Sequence, residues 1–496
     1  MRRLLRILKF IGLTLVAFVA IGAMLFFLGL RVVMDGGGSP HLRFVKSADA
    51  QAEELTRHRE AQRSQGPPAA PGAPRPPAPA GADVSPATLE KPALPIVGIP
   101  PAARGAAAEP AAPWTDFRGS RRDGHYREQP ILTDWPSGGL KPLWKQPVGG
   151  GYASFVIAGG RAFTIEQRGP QEVITAYDVA TGRELWTNTW TAAFREMMGG
   201  DGPRATPTWF DGRVYALGAL GEFRSIEAAT GRTVWRTNIL EDAGAKNLQW
   251  GMSASPLIVD NTVVVLPGGP NGNSIVAYDR ATGKRAWSAH GDQQAYSSPM
   301  LVTLAGVRQI LVFSASRVMG ITPDSGRLLW EYPWKTQFGI NASQPLVVGD
   351  NRLFISTGYG TGAAVIELAA SGDTLTPREV WRNIRMKNQF SSSVLHEGHV
   401  YGLDEAILAC LDVATGDLKW KGGRYGYGQV LLASGHLIVL TEDGHLALVQ
   451  ATPERHVEKG RFPVLEGKTW NHPAVSEGRL LVRNLAEMAA FDVSKN

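Results

Sequence analysis

Residues 177–186, YDVATGRELW, place an Asp-x-x-Thr-Gly turn between two apolar segments and end on a tryptophan. Related segments follow along the chain, and KPLWKQP precedes them, so that tryptophans recur 39 to 52 residues apart. These tryptophans are Trp144, Trp186, Trp235, Trp287, Trp330, Trp381 and Trp420. Self-similarity at this period indicates one supersecondary unit that is used many times.

The repeat that contains Trp235 divides into four short β-rich segments: TPTWF, RVYALG, EFRSIEA and TVWRTNI. Turn signals at Asp211-Gly212, Gly218–Gly221 and Thr230-Gly231 separate them, which is typical of an antiparallel meander. Eight copies follow this pattern, and the last has only three strands. We therefore predict an all-β fold, an eight-bladed β-propeller of four-stranded antiparallel blades, closed by an N-terminal strand around Trp144. An open solenoid is the alternative.

In this architecture the repeated tryptophans fall on the fourth, outermost strand of each blade. A large ring there can cover the gap between adjacent blades, so we predict that these tryptophans seal the blades. The alternative is an aromatic ligand-binding array. That role requires the rings to converge, whereas fourth strands diverge.

The N-terminus begins with MRRLLRILK and continues as an uncharged apolar run, residues 10–30, long enough to cross a bilayer as a helix. The basic residues 1–9 predict a cytoplasmic start, which places the rest of the chain in the periplasm as a single-pass inner-membrane protein. A cleaved signal peptide with a site at Ala48-Asp49-Ala50 is the alternative. Residues 31–112 precede the repeats and become rich in Pro and Ala, so we predict a disordered linker there and the propeller over 113–496.

Charge and cysteine content exclude several function classes. The chain has a formal net charge of +6, but beyond residue 112 it carries 38 Lys/Arg against 37 Asp/Glu. This near-neutral balance gives no electrostatic basis for nucleic-acid binding. Cys410 is the only cysteine, so neither an intramolecular disulfide nor a cysteine-based zinc site can form.

The segments YDVATGRELW, YDRATGKRAW and LDVATGDLKW follow the pattern AxDxxTGxxxW at most positions. They resemble the pyrroloquinoline quinone (PQQ) repeat propellers, over about residues 114–496. That superfamily includes the quinoprotein alcohol dehydrogenases and the lipoprotein subunit of the outer-membrane β-barrel assembly machine. The opening WTDFRGSRRDG also looks like that of bacterial PQQ-binding-like propeller repeat proteins. The resemblance implies the fold more strongly than any activity.

Two departures from the resemblance bear on function. The quinoprotein dehydrogenases hold PQQ against a ring of adjacent disulfide-bonded cysteines with a Ca²⁺ or lanthanide ion, and one cysteine cannot form that ring. The assembly-machine subunit is a lipoprotein, and no cysteine that could accept a lipid stands directly after the apolar run here. We therefore assign no cofactor and keep PQQ with Ca²⁺ as the alternative; whether the chain is an enzyme stays open, and a PQQ-dependent dehydrogenase is the form it would take.

Functional residues of a propeller are expected where the loops before the inner strands meet around the central channel. Aromatic and amide groups with two cations at these positions suit a planar, anionic ligand or a peptide. The predicted ligand- or partner-binding residues are Arg204, Trp250, Tyr296, Lys387, Asn388, Trp470 and His472, with Tyr152, Asn341, Tyr425 and Tyr427 at equivalent positions.

Acidic turns on the same face are weak candidates for a metal site. Asp404 lies in one blade, and Glu442 and Asp443 in the next. Ordinary hairpin chemistry also explains them. As a whole, the sequence favours a membrane-anchored, monomeric, periplasmic propeller that binds or scaffolds an envelope protein or peptide; the alternative is a quinoprotein oxidoreductase without the disulfide ring.

Overall fold

The computed structural model describes residues 11, 14–15, 19–64, 113–371 and 374–495. Residues 113–371 and 374–495 form an eight-bladed β-propeller in which every blade contains four antiparallel strands. The predicted fold class and blade number are confirmed. Ahead of the first blade lie β1 (Leu30–Met34), β2 (Pro40–Phe44), α1 (Ala48–Ser64), β3 (His125–Tyr126) and β4 (Pro142–Pro147).

The blades follow one another along the chain, each from its inner to its outer strand. Blade 1 contains β5 (Val156–Ala158), β6 (Arg161–Arg168), β7 (Gln171–Asp178) and β8 (Glu184–Thr191); blade 2 contains β9 (Thr208–Phe210), β10 (Arg213–Leu217), β11 (Glu222–Glu227) and β12 (Thr233–Asn238), and the short helix α2 (Ile239–Ala243) follows it; blade 3 contains β13 (Leu257–Val259), β14 (Thr262–Val265), β15 (Ile275–Asp279) and β16 (Arg285–Ala289); blade 4 contains β17 (Met300–Leu304), β18 (Val307–Phe313), β19 (Arg317–Ile321) and β20 (Leu328–Pro333).

The second half of the ring repeats this order. Blade 5 contains β21 (Leu346–Val348), β22 (Arg352–Thr357), β23 (Gly362–Ser371) and β24 (Thr374–Asn383); blade 6 contains β25 (Val394–His396), β26 (His399–Asp404), β27 (Ile407–Asp412) and β28 (Leu418–Arg424); blade 7 contains β29 (Gln429–Ala433), β30 (His436–Leu440), β31 (His445–Gln450) and β32 (Glu458–Pro463); blade 8 contains β33 (Ala474–Ser476), β34 (Arg479–Arg483) and β35 (Glu487–Asp492).

The ring closes through β4, which supplies the fourth strand of blade 8. It pairs antiparallel with β35, with Trp144 opposite Ala490. This confirms the predicted closure by an N-terminal strand. Closure removes the open sheet edges that would otherwise be free to pair with another chain.

The apolar core is divided into layers between neighbouring blades. The middle strands β6 and β7 are buried on both faces, because each blade lies between two others. The outer strand β8 instead alternates half-buried and exposed residues. In the first layer, Phe163 and Ile165 of blade 1 belong to the same cluster as Val214 and Ile226 of blade 2.

Five of the seven repeated tryptophans contact the glycine in the turn between the third and fourth strands of the following blade. Trp186 Nε1 donates to the carbonyl oxygen of Ala228 at 3.0 Å. The ring also lies against Gly231, where an added Cβ would stand only 2.6 Å from Trp186 Cε3. Corresponding glycine contacts join Trp144 to Gly182, Trp235 to Gly283, Trp287 to Gly326 and Trp381 to Gly416.

Blades 5 and 7 depart from this pattern. In blade 7 the turn has no glycine, and Trp420 Nε1 donates to Thr452 O at 2.8 Å. The last two strands of blade 5 extend to ten residues each, so no short Thr-Gly turn faces Trp330. Trp330 Nε1 donates instead to Gln309 Oε1 in its own blade. The ring is buried in a cluster with Leu368 and Leu375 of blade 5.

Residues 30–64 correct the linker prediction. The prediction of a disordered linker over 31–112 is wrong for residues 31–64, which form the β1–β2 hairpin and helix α1. An Asp-Gly-Gly-Gly turn connects the hairpin strands, and α1 is rich in good helix formers with Asp49 in its first turn and Arg63 in its last. The proline-rich composition begins only after α1, at residues 65–112, which lie outside the described residues.

Helix α1 docks where the ring closes. Arg59 is almost fully buried, and its Nη2 donates to Pro147 O at 2.9 Å and to the Tyr177 hydroxyl at 3.2 Å. Its Nε lies 3.4 Å from Glu184 Oε2. Since Pro147 belongs to β4, the outer strand of blade 8, and Tyr177 and Glu184 belong to blade 1, α1 bridges these two adjacent blades.

Part of the predicted membrane span lies outside the described residues, and all of the basic segment 1–9 does. Residues 19–27 are helical, and Leu30, the last residue of the predicted span, already begins β1. None of the helices in the described part of the chain is both long and apolar enough to cross a membrane.

Replacing the turn glycine that contacts a sealing tryptophan is expected to destabilise the propeller. Gly231→Ala strains a backbone with φ of +77° and also forces Cβ into the Trp186 ring. The expected cost is about 1–2 kcal/mol for the backbone and about 1–3 kcal/mol for overpacking. Gly212→Ala is the matched control, because Gly212 has φ of +72° in the same blade and no heavy atom within 4 Å of the added Cβ.

Thermal unfolding of the purified protein, followed by circular dichroism, separates the two costs. Gly231→Ala should melt below Gly212→Ala, and both below the parent. Equal melting temperatures for the two variants would show that the ring contact contributes nothing to stability.

Candidate functional site at the channel face

The loops that precede the inner strands converge on a cavity of about 660 Å³ at one end of the central channel. Five of the seven predicted binding residues line it, and two further residues from equivalent positions join them. The lining residues predicted from sequence are Arg204, Trp250, Tyr296, Trp470 and His472, with Tyr152 and Tyr427. The structure thus brings most of the predicted residues together.

Aromatic rings form most of the cavity wall. Tyr152 and Trp470 stack with centroids 5.2 Å apart, and Phe390 contacts Trp470 at 4.4 Å. On the other side, Trp250 and Tyr296 lie 5.9 Å apart. Such a wall offers large, rigid contact area at low conformational cost, which suits the binding of apolar or planar groups.

Four aromatic residues of the cavity were missed by sequence reasoning. Phe338 and Phe390 lie in the same class of loop as the predicted residues, so attention to every aromatic position in those loops would have found them. Tyr359 lies in a turn between second and third strands, where only acidic residues were considered. Phe117 belongs to WTDFRGSRRDG, a segment to which no site was assigned.

Arg204 organises the cavity wall rather than presenting a free charge. Its Nη2 donates to Gly200 O at 2.7 Å, and its Nη1 donates to Gly202 O. The guanidinium carbon lies 4.6 Å from the Phe194 ring centroid. Burial lowers the Arg204 pKa, but a guanidinium stays charged under ordinary conditions.

The segment 114–124 closes the channel beneath the cavity. Arg118 Nη2 donates to Ser393 O at 2.7 Å, and Arg122 Nη1 donates to Pro299 O at 2.9 Å. Arg122 also pairs with Asp116 at 2.9 Å. These buried guanidinium groups satisfy carbonyl groups from blades on different sides of the ring. The cavity therefore ends on this segment, with Phe117 in its lining.

His472 lines the cavity as a neutral imidazole. Its Nδ1 lies 2.7 Å from Pro473 O, and its Nε2 lies 3.3 Å from Arg118 Nη1. Nε2 also lies 3.1 Å from Val430 O, so the neutral ring donates its one N–H to one of these two carbonyl oxygens. Burial, and then the Arg118 charge, lower the His472 pKa to about 3. His472 therefore cannot exchange a proton with a ligand near neutral pH.

The other predicted residues have structural roles away from the cavity. Asn388 is fully buried and donates to Leu403 O at 3.2 Å. Lys387 pairs with Glu405 at 3.0 Å. Asn341 is buried and donates to Ser314 O, and the Tyr425 hydroxyl donates to Glu458 at 2.6 Å.

The acidic candidates do not converge on a cation. Asp404 is buried against Lys421 at 2.7 Å, and Asp443 lies 3.2 Å from His445. Glu442 accepts the indole N–H of Trp470 at 2.9 Å. Within the described ranges, no group of three or more His, Cys, Asp or Glu side chains is placed to hold a metal ion.

The tip of the β1–β2 hairpin enters the mouth of the cavity. Residues 34–38 contribute to its lining. Gly36 N–H donates to Glu442 Oε1 at 2.7 Å, and Gln389 Nε2 donates to Gly36 O at 2.7 Å. A segment that precedes the propeller by more than 70 residues thus occupies the channel face.

Comparison with known proteins places this propeller in a family. The model of the PQQ-repeat family described as "Outer membrane protein assembly factor BamB" matches residues 170–422. The chain belongs to this family of PQQ-like repeat propellers. Its repeats and its aromatic channel face therefore occur on a scaffold shared with proteins of outer-membrane assembly.

Particular relatives are distant. Outer membrane protein assembly factor BamB of Bordetella pertussis is 23% identical over 314 residues, 61% of this chain and 73% of the relative. The protein of the same name from Burkholderia pseudomallei is 24% identical over 372 residues, 66% of this chain and 92% of the relative.

Solved structures share the fold. The crystal structure of BamB from Moraxella catarrhalis has a TM-score of 0.52 at 14% identity, covering 71% of this chain and 99% of that one. A europium-containing methanol dehydrogenase has a TM-score of 0.58 at 12% identity, covering 78% and 99%. Proteins of both kinds thus have this architecture.

The neutral, buried state of His472 predicts a pH dependence of stability. Because the folded pKa is near 3 and the unfolded value near 6.5, the unfolded chain binds a proton that the folded chain excludes between these values. His472 therefore lowers the free energy of unfolding as pH falls from 6.5 to 3, by on the order of 2–4 kcal/mol.

Unfolding midpoints of His472→Gln and the parent, measured between pH 4 and 7, should diverge in slope, with the variant less sensitive to acid. His436→Gln, which alters a solvent-accessible ring, is the control and should keep the parent slope. A parental slope in His472→Gln would contradict the assignment.

Proposed function

We propose that this protein is a binding and scaffold module of the bacterial envelope, and that it holds a segment of a partner protein in the aromatic cavity at its channel face. The observation that carries the proposal is the hairpin tip already in that cavity, because it demonstrates that the mouth accepts polypeptide backbone. The names of the relatives, which are outer-membrane protein assembly factors, support a role among envelope proteins.

The chemistry of the cavity supports binding over catalysis. His472 stays neutral, Arg204 is held by backbone carbonyl groups, and Glu442 accepts three hydrogen bonds. These groups are committed to structural partners. Aromatic walls with fixed polar groups at the mouth are typical of recognition sites for peptide segments.

The proposed location follows from the N-terminus. A single membrane span at residues 10–30, with residues 1–9 in the cytoplasm, would hold a monomeric propeller in the periplasm. The hairpin that enters the cavity starts at Leu30, the last residue of this run. Such an anchor would direct the channel face toward the inner membrane, with residues 65–112 as the connection between α1 and the propeller.

Photocrosslinking in cells tests the binding face. Phe338 is 61% exposed and lines the cavity, so a photoreactive benzoyl-phenylalanine at this position should capture the partner segment. Trp250→Ala, which removes an opposing ring, is expected to reduce that adduct at least about tenfold, as for a buried aromatic anchor. Arg204 is left intact because its guanidinium holds the wall together.

Leu185→Ala is the matched control, since Leu185 is 44% exposed on the outer strand of blade 1. It should leave the adduct unchanged. An undiminished adduct in Trp250→Ala, or capture of the same protein with equal yield from position 185, would place the binding surface elsewhere.

A quinoprotein oxidoreductase is the second candidate, favoured by the aromatic walls of the cavity. PQQ is a planar quinone with three carboxylates, and burying such an anion requires cations or a metal ion beside it. Here both Nη groups of Arg204 donate to backbone carbonyl groups, of Gly200 and Gly202, and Lys468 Nζ donates to Met198 O at 3.1 Å. Glu405 also lines the cavity. The residues present do not fit PQQ with Ca²⁺.

Equilibrium binding of PQQ, with and without Ca²⁺, tests this alternative. No saturable binding at micromolar PQQ is expected. The carboxylates of PQQ would meet cations that already donate to backbone carbonyl groups, and they would be repelled by the Glu405 carboxylate. Saturable binding followed by dye-linked oxidation of an alcohol or sugar would establish the oxidoreductase and overturn the scaffold proposal.

A further inference from the structure

Gly36 is bound by the propeller through both of its backbone polar groups. Glu442 Oε1 accepts its N–H and Gln389 Nε2 donates to its carbonyl oxygen, each at 2.7 Å. Glu442 belongs to blade 7, and Gln389 lies before the inner strand of blade 6. Two adjacent blades therefore bind the backbone of Gly36, at the tip of the hairpin, without a contact to a side chain at that position.

A third propeller residue excludes any side chain at that position. A Cβ on Gly36 would lie 2.5 Å from Tyr427 Cβ and 2.6 Å from Tyr427 Cδ2. Gly36 does not have positive φ, whereas Gly38 has φ of +79° and no heavy atom within 4 Å of an added Cβ. The hairpin turn itself thus requires a residue that tolerates positive φ at 38, and the propeller requires glycine at 36.

The acceptor for Gly36 is fixed before the hairpin arrives. Glu442 Oε1 also accepts Trp470 Nε1 at 2.9 Å, and Glu442 Oε2 accepts the Tyr427 N–H at 3.1 Å. A carboxylate held in this way needs little reorganisation to bind another N–H group. Charge-assisted hydrogen bonds of this kind are stronger than neutral ones.

The rest of the hairpin is loosely attached. Every residue of β2 is exposed, and β1 is only half-buried. A second cavity of about 540 Å³ separates the strands from blades 6 and 7. Docking of the hairpin therefore depends on the contacts at its tip. Because the hairpin belongs to the same chain as the propeller, its local concentration at the cavity is high.

We propose that Glu442, Gln389 and Tyr427 form a glycine-turn subsite, that residues 35–38 occupy it within the chain, and that a partner binds by inserting a glycine-containing hairpin turn of its own. This inference rests on the proposed function and specifies the chemistry of its ligand. The partner is a β-rich segment with a tight turn, and its glycine replaces Gly36 against Tyr427. The hairpin then swings away without unfolding the propeller.

The test uses the full chain in detergent and a fluorescent peptide of residues 30–44, LRVVMDGGGSPHLRF. Gly36→Ala should release the tip, so that hydrogen exchange of residues 30–44 accelerates at least about tenfold. The vacated subsite should then bind the peptide at least about tenfold more tightly than the parent does, because the parent site is occupied internally. A peptide with alanine in place of Gly36 should not bind.

Gly38→Asn is the matched control, since asparagine tolerates positive φ and the space around Gly38 is open. It should retain slow exchange and weak peptide binding. Tyr427→Ala in the Gly36→Ala background provides a second variant, which makes room for the added methyl group and should restore slow exchange of the hairpin.

Unchanged exchange in Gly36→Ala, or faster exchange without gain of peptide binding, would overturn the glycine-turn subsite. Either result leaves the crosslinking experiment at Phe338 to decide the proposed function independently. Conversely, a Phe338 adduct that does not depend on Trp250 would overturn the proposed function, while peptide binding by Gly36→Ala would still establish the subsite.

Discussion

The packing of each sealing tryptophan against the next blade is the interaction on which the rest of the structure depends, and five of the seven make it against a turn glycine. The glycine permits both the left-handed backbone and the close approach of the ring, as at Gly231 and Trp186. The indole N–H also satisfies a carbonyl group of that turn. One repeated sequence pattern therefore builds a strand turn and joins two blades.

Because the repeated tryptophans join the blades at the periphery, the residues of the channel face are not needed to hold the blades together. The sealing residues lie on the outer strands, and the cavity residues lie mostly in the loops before the inner strands. The buried arginines of segment 114–124 close the channel, so the aromatic loops enclose a cavity with one open end. Trp250 thus lines the channel-face cavity, whereas Trp186 packs against the next blade. The β1–β2 hairpin adds a contact at the mouth of the cavity, through the backbone of Gly36.

The repeat made the propeller predictable from sequence, since turn signals and tryptophan spacing locate nearly every blade and the closing strand at Trp144. Of the residues predicted to bind a ligand or partner, Arg204, Trp250, Tyr296, Trp470 and His472 line the cavity, and their binding role stays a prediction. Asn388 turns into the protein instead, because sequence position within a loop does not tell which way a side chain turns. The hairpin and α1 were missed because the linker was assigned from proline content that begins only after Ser64. Arg59 and Gly36 make contacts with residues more than 80 positions away, which no local pattern encodes.

The central claim is that a partner segment and the hairpin compete for one channel-face site. Crosslinking yield from position 338, compared between the parent and Gly36→Ala in the same cells, tests it most directly. Release of the hairpin should raise partner capture severalfold, by about the factor with which the internal occupant reduces affinity. An unchanged or lower yield in Gly36→Ala would contradict it, because the hairpin would then not occupy the partner's site.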